Sequence, residues 1–290
     1  MTRAALGVLV LAACWLWAWP TAADDGDGAL ATRDATLIDA RLRAMPAQRT
    51  GTPGLYAIGF AGDGREDVFR NEVAYFETLA SARFGADGRT IALVNHPDSL
   101  GAAPRPLATL DNLRHALTGV ARAMDPELDL LLLFMTTHGN RDHTLALNMP
   151  GRFDTTLTPR QLRDMLDETG IRNRLVVVSA CFSGGFIPAL ASPHTVVMTA
   201  ARRDRTSFGC GDTASATYFG RAFLVEGMNR DGGLLDAFDY AKRQVSRRET
   251  MEGYQPSEPQ LSVGEAVLPR LHAWEAALVP GPRVPYPQDP

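Results

Sequence analysis

RLVVVSACFSGG, residues 174–185, decides how the rest of the chain is read. Five apolar or β-branched residues in nearly unbroken succession lead to a lone thiol, Cys181, and a glycine pair follows. A continuous run of this length, without alternation, is the mark of a strand buried on both faces, as in parallel sheets covered by helices. A second run has the same form: DLLLLFMTTHG (129–139) ends in His138-Gly139. Around these two lie further apolar runs at 54–62, 90–96 and 194–201, separated by segments with helical spacing at 66–85, 109–126 and 158–170. The last of these starts with Thr158 as cap and Pro159 in the first turn, and it stops at Gly170. TLALNMPGRFDTTLT (144–158) reads as a hairpin around Pro150-Gly151. Late helices are expected at 213–228 and 234–251, and a last strand at 259–264. Strands alternating with helices indicate an α/β fold whose mainly parallel sheet is covered on both faces. In such sheets, ligands bind at the carboxyl ends of the strands.

The chain of 290 residues has a formal charge of −4 and no cluster of basic residues, so nothing points to nucleic acid. Residues 1–23 read as a secretory signal peptide: Arg3, a short apolar stretch, then Pro20 and small residues. The apolar stretch is short for a stable membrane span, and the expected location is periplasmic or secreted. LAAC at 11–14 offers an alternative, a lipoprotein anchored at Cys14, although the apolar WLWAW beyond it argues for simple export. Residues 24–53 read as a flexible lead with one short helix, 54–268 as the folded domain, and 269–290 as a tail of short helix and Pro-rich coil.

Export leaves Cys181 and Cys210, an even number, so a disulfide between them is one reading. The other makes Cys181 a nucleophile. If the strands before His138 and Cys181 are parallel neighbours, a thiol and an imidazole emerge on one edge of the sheet. That pair suffices for acyl transfer. FSGGF after Cys181 reads as the start of a short helix, whose N-terminal amides would favour the thiolate. Gly139, without a Cβ, can bring its N–H close to a substrate oxygen, and with the Cys181 N–H it would make an oxyanion hole. His138, His143, Cys181 and Cys210 could also be read as four zinc ligands, but they lack the short paired spacings of common sites. His143 is expected to be exposed in the loop after the strand.

In these residues the chain resembles the legumain-type cysteine peptidases, relatives of the caspases and gingipains. TTHG and SACFSGG match a His-Gly and an Ala-Cys after successive strands. TAARRDRTSFGCGDTASATYFG (199–220) and AGDGREDVFRNE (61–72) match a later and an earlier block, so the resemblance runs over roughly 54–264. It implies a caspase-like three-layer α/β/α sandwich and a His138/Cys181 dyad acting on a peptide or protein substrate. No metal or organic cofactor is implied. It also places Arg70, Ser179, Thr206, Ser207 and Arg221 at the substrate. Ser179 and Arg221 stand where the family carries acids, so two arginines and hydroxyls suit a carboxylate. Cleavage after acidic or Asn residues is the expectation. Val68 stands where the family often has a catalytic Asn, which leaves the third helper group unassigned. The alternative function is a catalytically silent exported binding module with a Cys181–Cys210 disulfide.

Overall fold

A computed structural model describes residues 24–48, 51–101, 104–211 and 214–287. The signal peptide expected over 1–23 and the candidate anchor Cys14 lie outside the described residues. Each apolar run forms a strand: β1 (Leu55–Ala61), β2 (Thr90–Val94), β3 (Leu130–Thr136), β6 (Asn173–Ser179) and β7 (Thr195–Thr199). They build one sheet in the order β2-β1-β3-β6-β7, all parallel, closed at the β7 edge by the antiparallel β8 (Gln260–Val263). The expected hairpin is present as β4 (Leu145–Met149) and β5 (Phe153–Leu157).

The strands are buried on both faces, and successive residues feed two separate cores. Ala57, Leu130, Leu132, Phe134, Val177 and Met198 pack on one side with α2 (Asp67–Arg83), α7 (Leu234–Glu252) and α8 (Leu268–Ala277). Tyr56, Ile58, Leu131, Leu133, Val176 and Val197 pack on the other with α3 (Leu110–Ala123), α4 (Pro159–Glu168) and the short α5 (Ile187–Leu190). Two cores around one sheet make the three-layer, caspase-like α/β/α sandwich. Side-chain alternation along a strand explains the division. Helix α2 lies close against the sheet because β1 carries Gly59, where a Cβ would stand 2.9 Å from Val73 Cγ1. Helix α4 is closed by the expected Thr158 cap, completed by Gln161 into a capping box, and Gly170 turns away with φ 70°.

Three expectations need correction. The flexible lead over 24–53 is a 21-residue helix, α1 (Asp24–Ala44), with Ile38 fully buried in the second core. Its sequence reads as polar because only one narrow face is covered. Buried Asp34 accepts from Leu107 N at 3.0 Å and Asn112 Nδ2 at 2.8 Å, and Leu42 fits over Gly119. The tail from 269 is not separate from the domain. Leu271, Trp274 and Tyr286 are core residues, and Arg83 Nη1 holds Gly281 O at 2.7 Å. The helix expected over 213–228 is a short turn, α6 (Tyr218–Gly220), that continues as a π-helical stretch over Arg221–Gly227.

If α1 belongs to the domain, Ile38→Ala should cost about 2–5 kcal/mol of unfolding free energy, as buried Ile-to-Ala changes do. Urea denaturation followed by far-UV circular dichroism measures it. A cost below about 0.5 kcal/mol would mean the helix is not packed.

Candidate active site

The β3–β6 register pairs Thr136 with Ser179. His138 and Cys181 each follow two residues later, so the two reactive groups leave the sheet at the same height on neighbouring strands. The backbones stay in contact beyond the ladder. Thr137 N donates to Ser179 O at 3.2 Å, and a Cβ on Gly139 would stand 2.0 Å from Cys181 O. Only glycine fits there. Gly139 bridges Leu145 through its neighbours, with Ala146 N donating to His138 O and Asn140 N to Thr144 O, both at 2.9 Å. Among the described residues neither the Gly139 nor the Cys181 amide donates to a backbone carbonyl, so both are available to an incoming oxygen.

The Cys181 sulfur accepts from Ser207 N at 3.2 Å and lies 3.6 Å from Ser207 Oγ. Among the described residues no hydrogen bond joins it to the His138 ring. The expected helix-terminal amides do not serve it. Phe182, in the left-handed region at φ 55°, gives its N–H to Arg205 O, Gly184 donates to Ala201 O, and Gly185 donates to Phe182 O. The helical stretch that follows is a 3-10 turn over Ser183–Phe186 leading into α5. A strained residue directly after a reactive thiol fits the habit of storing strain at functional sites. His143, expected to be exposed, is half-buried. Its ring lies over Gly185, where a Cβ would be 2.1 Å from His143 Cγ, and its Nδ1 meets Phe182 O at 3.2 Å.

Two acids of α2 complete the site, and neither was singled out in the sequence. Glu66, the residue before the helix, places Oε1 3.1 Å from His138 Nε2, and Phe69 meets the same imidazole edge-on at 5.1 Å. Glu72 is buried. It accepts from Thr136 Oγ1 at 2.6 Å and from Thr217 N at 2.7 Å, and a Cβ on Gly220 would collide with its carboxylate. Desolvation pushes Glu72 above the ordinary carboxylate range, opposed by hydrogen bonds from Thr136 and Thr217. The only sequence signal was an acid at helical spacing on an otherwise apolar face.

The remaining expected residues divide. Ser207 sits at the sulfur, with Thr206 beside it in the chain. Ser179 is buried beneath, its Oγ 3.3 Å from Thr217 Oγ1. Arg70 and Arg221 stand at the two ends of one chain of polar contacts. Arg70 is paired with Asp98 and, at 3.3 Å, with Asp67. The Arg221 guanidinium lies over the Tyr286 ring at 5.2 Å and donates to Ser215 Oγ at 3.4 Å. Asn71 and Ser215 stand between them, joined at 3.5 Å. Both cysteines are free thiols. Burial, with Cys181 and Glu66 nearby, pushes Cys210 up to about 11. The zinc reading finds no support in the geometry: among the described residues no group of three or more His, Cys, Asp or Glu side chains could hold a metal ion. No helix among them is long and apolar enough to cross a membrane.

A six-stranded sheet of this order, with an imidazole and a thiol at the ends of adjacent parallel strands, has the architecture of the caspase-like cysteine peptidases. The Peptidase C13 family model matches residues 112–270, more than half of the chain. The chain belongs to that family, the legumain family of cysteine peptidases. A search of curated proteins found no match.

Replacing Glu72 separates its two properties. Glu72→Ala leaves a buried hydroxyl and a buried amide without their acceptor, and should cost about 2–4 kcal/mol. Glu72→Gln, which can still accept from Thr217 N, should cost less. Because the folded carboxyl titrates above its unfolded value of 4.5, its favourable contribution is full below that pH and is lost as pH rises through the folded value. Wild type should therefore lose stability relative to Glu72→Gln as pH rises from 4.5. Urea midpoints across that range measure it, and a parallel pair of curves would refute it.

Proposed function

We propose that the protein is an exported cysteine endopeptidase in which His138 and Cys181 carry out acyl transfer on peptide bonds. The observation that supports this reading is the pairing of Thr136 with Ser179, two residues before His138 and Cys181 on neighbouring parallel strands, at the end of the strands where such sheets bind ligands. In the reaction the Cys181 thiolate bonds to the scissile carbonyl carbon. The carbonyl oxygen becomes an anion between the Gly139 and Cys181 amides. The carbon–nitrogen bond then breaks as the imidazolium gives its proton to the leaving amine. Water, deprotonated by the imidazole, attacks the thioester and returns the thiol. Each oxyanion donor of this kind is worth about 10²–10³ in rate.

The silent-module alternative needs a disulfide, and Cys181 and Cys210 are both free. Cys210, pushed up to about 11, stays a thiol at neutral pH and takes no nucleophilic role. Cys181→Ala and His138→Ala should each abolish cleavage of a peptide substrate without lowering the urea midpoint, whereas Cys210→Ser should keep it. Cleavage by Cys181→Ala at the wild-type rate would end the proposal.

On specificity, we place the residue before the scissile bond on the side of Ser179, Thr217 and Arg221, and we take an acidic residue or Asn as the preferred occupant. Arg221 N donates to Thr217 O at 2.8 Å, which puts this arginine one turn from the Ser179–Thr217 contact. Arg70 stands beyond Asn71 and Ser215 and pairs with Asp67 and Asp98, so we take it as the lesser contributor. In a fluorogenic panel differing only at that residue, Arg221→Ala should lower the Asp-to-Asn ratio of kcat/KM about tenfold, a change of about 1.4 kcal/mol. Arg70→Ala should leave the ratio within about threefold, about 0.6 kcal/mol. An unchanged ratio in Arg221→Ala would remove Arg221 from the pocket.

A further inference from the structure

The loop between β1 and α2, with the first residue of α2, carries four charged side chains within five residues. Asp63 is buried and holds Arg65 through the Arg65 N–H and Nε. Arg65 also reaches Asp154 at 3.7 Å. Asp67 binds His96 Nε2 at 2.9 Å and Arg70 at 3.3 Å. Glu66 alone turns to the sheet edge and meets His138 Nε2. Its position makes this choice informative. Glu66 is the residue before the first turn of α2, and its side chain makes no cap hydrogen bond to the helix. Its second oxygen, Oε2, is buried and has no hydrogen-bond partner among the described residues. Among the described residues the imidazole is the carboxylate's one hydrogen-bond partner.

We propose that Glu66 is the positioning residue of the His138/Cys181 pair, completing a Glu-His-Cys triad in which Nε2–H is held by the carboxylate and Nδ1 is the nitrogen that moves protons. The inference rests on the peptidase reading above. It supplies the helper group that the family pattern, with Val68 at the Asn position, leaves unassigned. A carboxylate on Nε2 fixes the tautomer, turns the ring, and stabilises the imidazolium that stands beside the thiolate. Phe69 supports the ring edge-on, so its tilt is set from two sides. The charged and titratable groups around this pair are Cys181 on β6's extension, Cys210 from the loop after β7, and Glu72 one helix face further along α2. Both acids act on Cys210.

The test compares Glu66→Gln and Glu66→Ala in the full chain, with folding checked by circular dichroism and urea midpoint. Glu66→Ala should lower kcat by about 10²–10⁴-fold, in line with the loss of a general acid–base or its orienting partner, and should change KM by less than about threefold. Glu66→Gln, which keeps an oxygen for Nε2–H but no charge, should fall between Glu66→Ala and wild type. In both variants the high-pH limb of the kcat/KM profile should move to lower pH, because the imidazolium loses its counter-charge. A residue that only supports the fold would leave that limb in place. A second readout needs no substrate: the rate of Cys181 alkylation by iodoacetamide against pH, resolved from Cys210 by peptide mapping. The same displacement is expected there. Wild-type kcat and an unmoved limb in Glu66→Gln would overturn the Glu66 assignment. A chain whose Cys181→Ala variant still cleaves peptide would instead overturn the peptidase reading, so the two failures are distinguishable.

Discussion

The site depends on one backbone contact. Gly139 lies against the carbonyl of Cys181 so closely that no other residue fits between them. This contact lies just past the last pair of the β3–β6 ladder, Thr136 with Ser179, and keeps the two chain segments together beyond it. A parallel register shifted by one residue would send one of the two side chains to the opposite face. The thiol and imidazole would then lie in different cores of the sandwich. The long apolar runs of both strands are therefore more than filling. Their burial on both faces fixes the register, and the register fixes the pair.

Helix α2 works at the same edge from the side. Its N-terminal boundary residue, Glu66, addresses the imidazole, and Glu72, two turns further along, ties Thr136 of β3 to Thr217 at the start of α6. A carboxylate buried without a cation is costly, and here two neutral donors offset part of that cost. The arrangement links the strand that carries His138 to the segment that carries Arg221. The same segment leans on the C-terminal coil through Tyr286, whose ring lies under Arg221 and whose hydroxyl donates to Ser215 O.

The sheet, its strand-end His-Gly and Ala-Cys, the hairpin and the capped α4 could all be read from residue pattern, because each depends on local signals: apolar runs, Gly and Pro punctuation, a Thr cap. The residues that escaped were those whose roles are set by distant partners. Glu66 looks like an ordinary polar residue at a helix boundary, and Glu72 is marked only by its place among apolar neighbours of α2; neither signal names the imidazole or the hydroxyl each one meets. Helix α1 was legible only as one short helix, and its full length and packing escaped for the opposite reason: its buried face is narrow, and most of its surface is polar. Arg70 was assigned to the substrate by block matching. The acids that bind it, Asp67 and Asp98, come from its own helix and from the loop after β2.

The Ser207 amide that serves the sulfur lies on the long excursion, residues 200–259, that leaves β7 and returns as β8. This excursion holds α6, the π-helical stretch and α7, and it is closed only when β8 pairs antiparallel with β7 and Arg202 N reaches Ser257 O. Loop-closure cost grows slowly with length, so this excursion costs only about 0.5 kcal/mol more to close than the shorter connection between β3 and β6. The imidazole and thiol come from paired strands of the sheet, whereas the sulfur's donor comes from the excursion. In a chain nicked within the excursion, the sheet could persist while the thiol lost its donor.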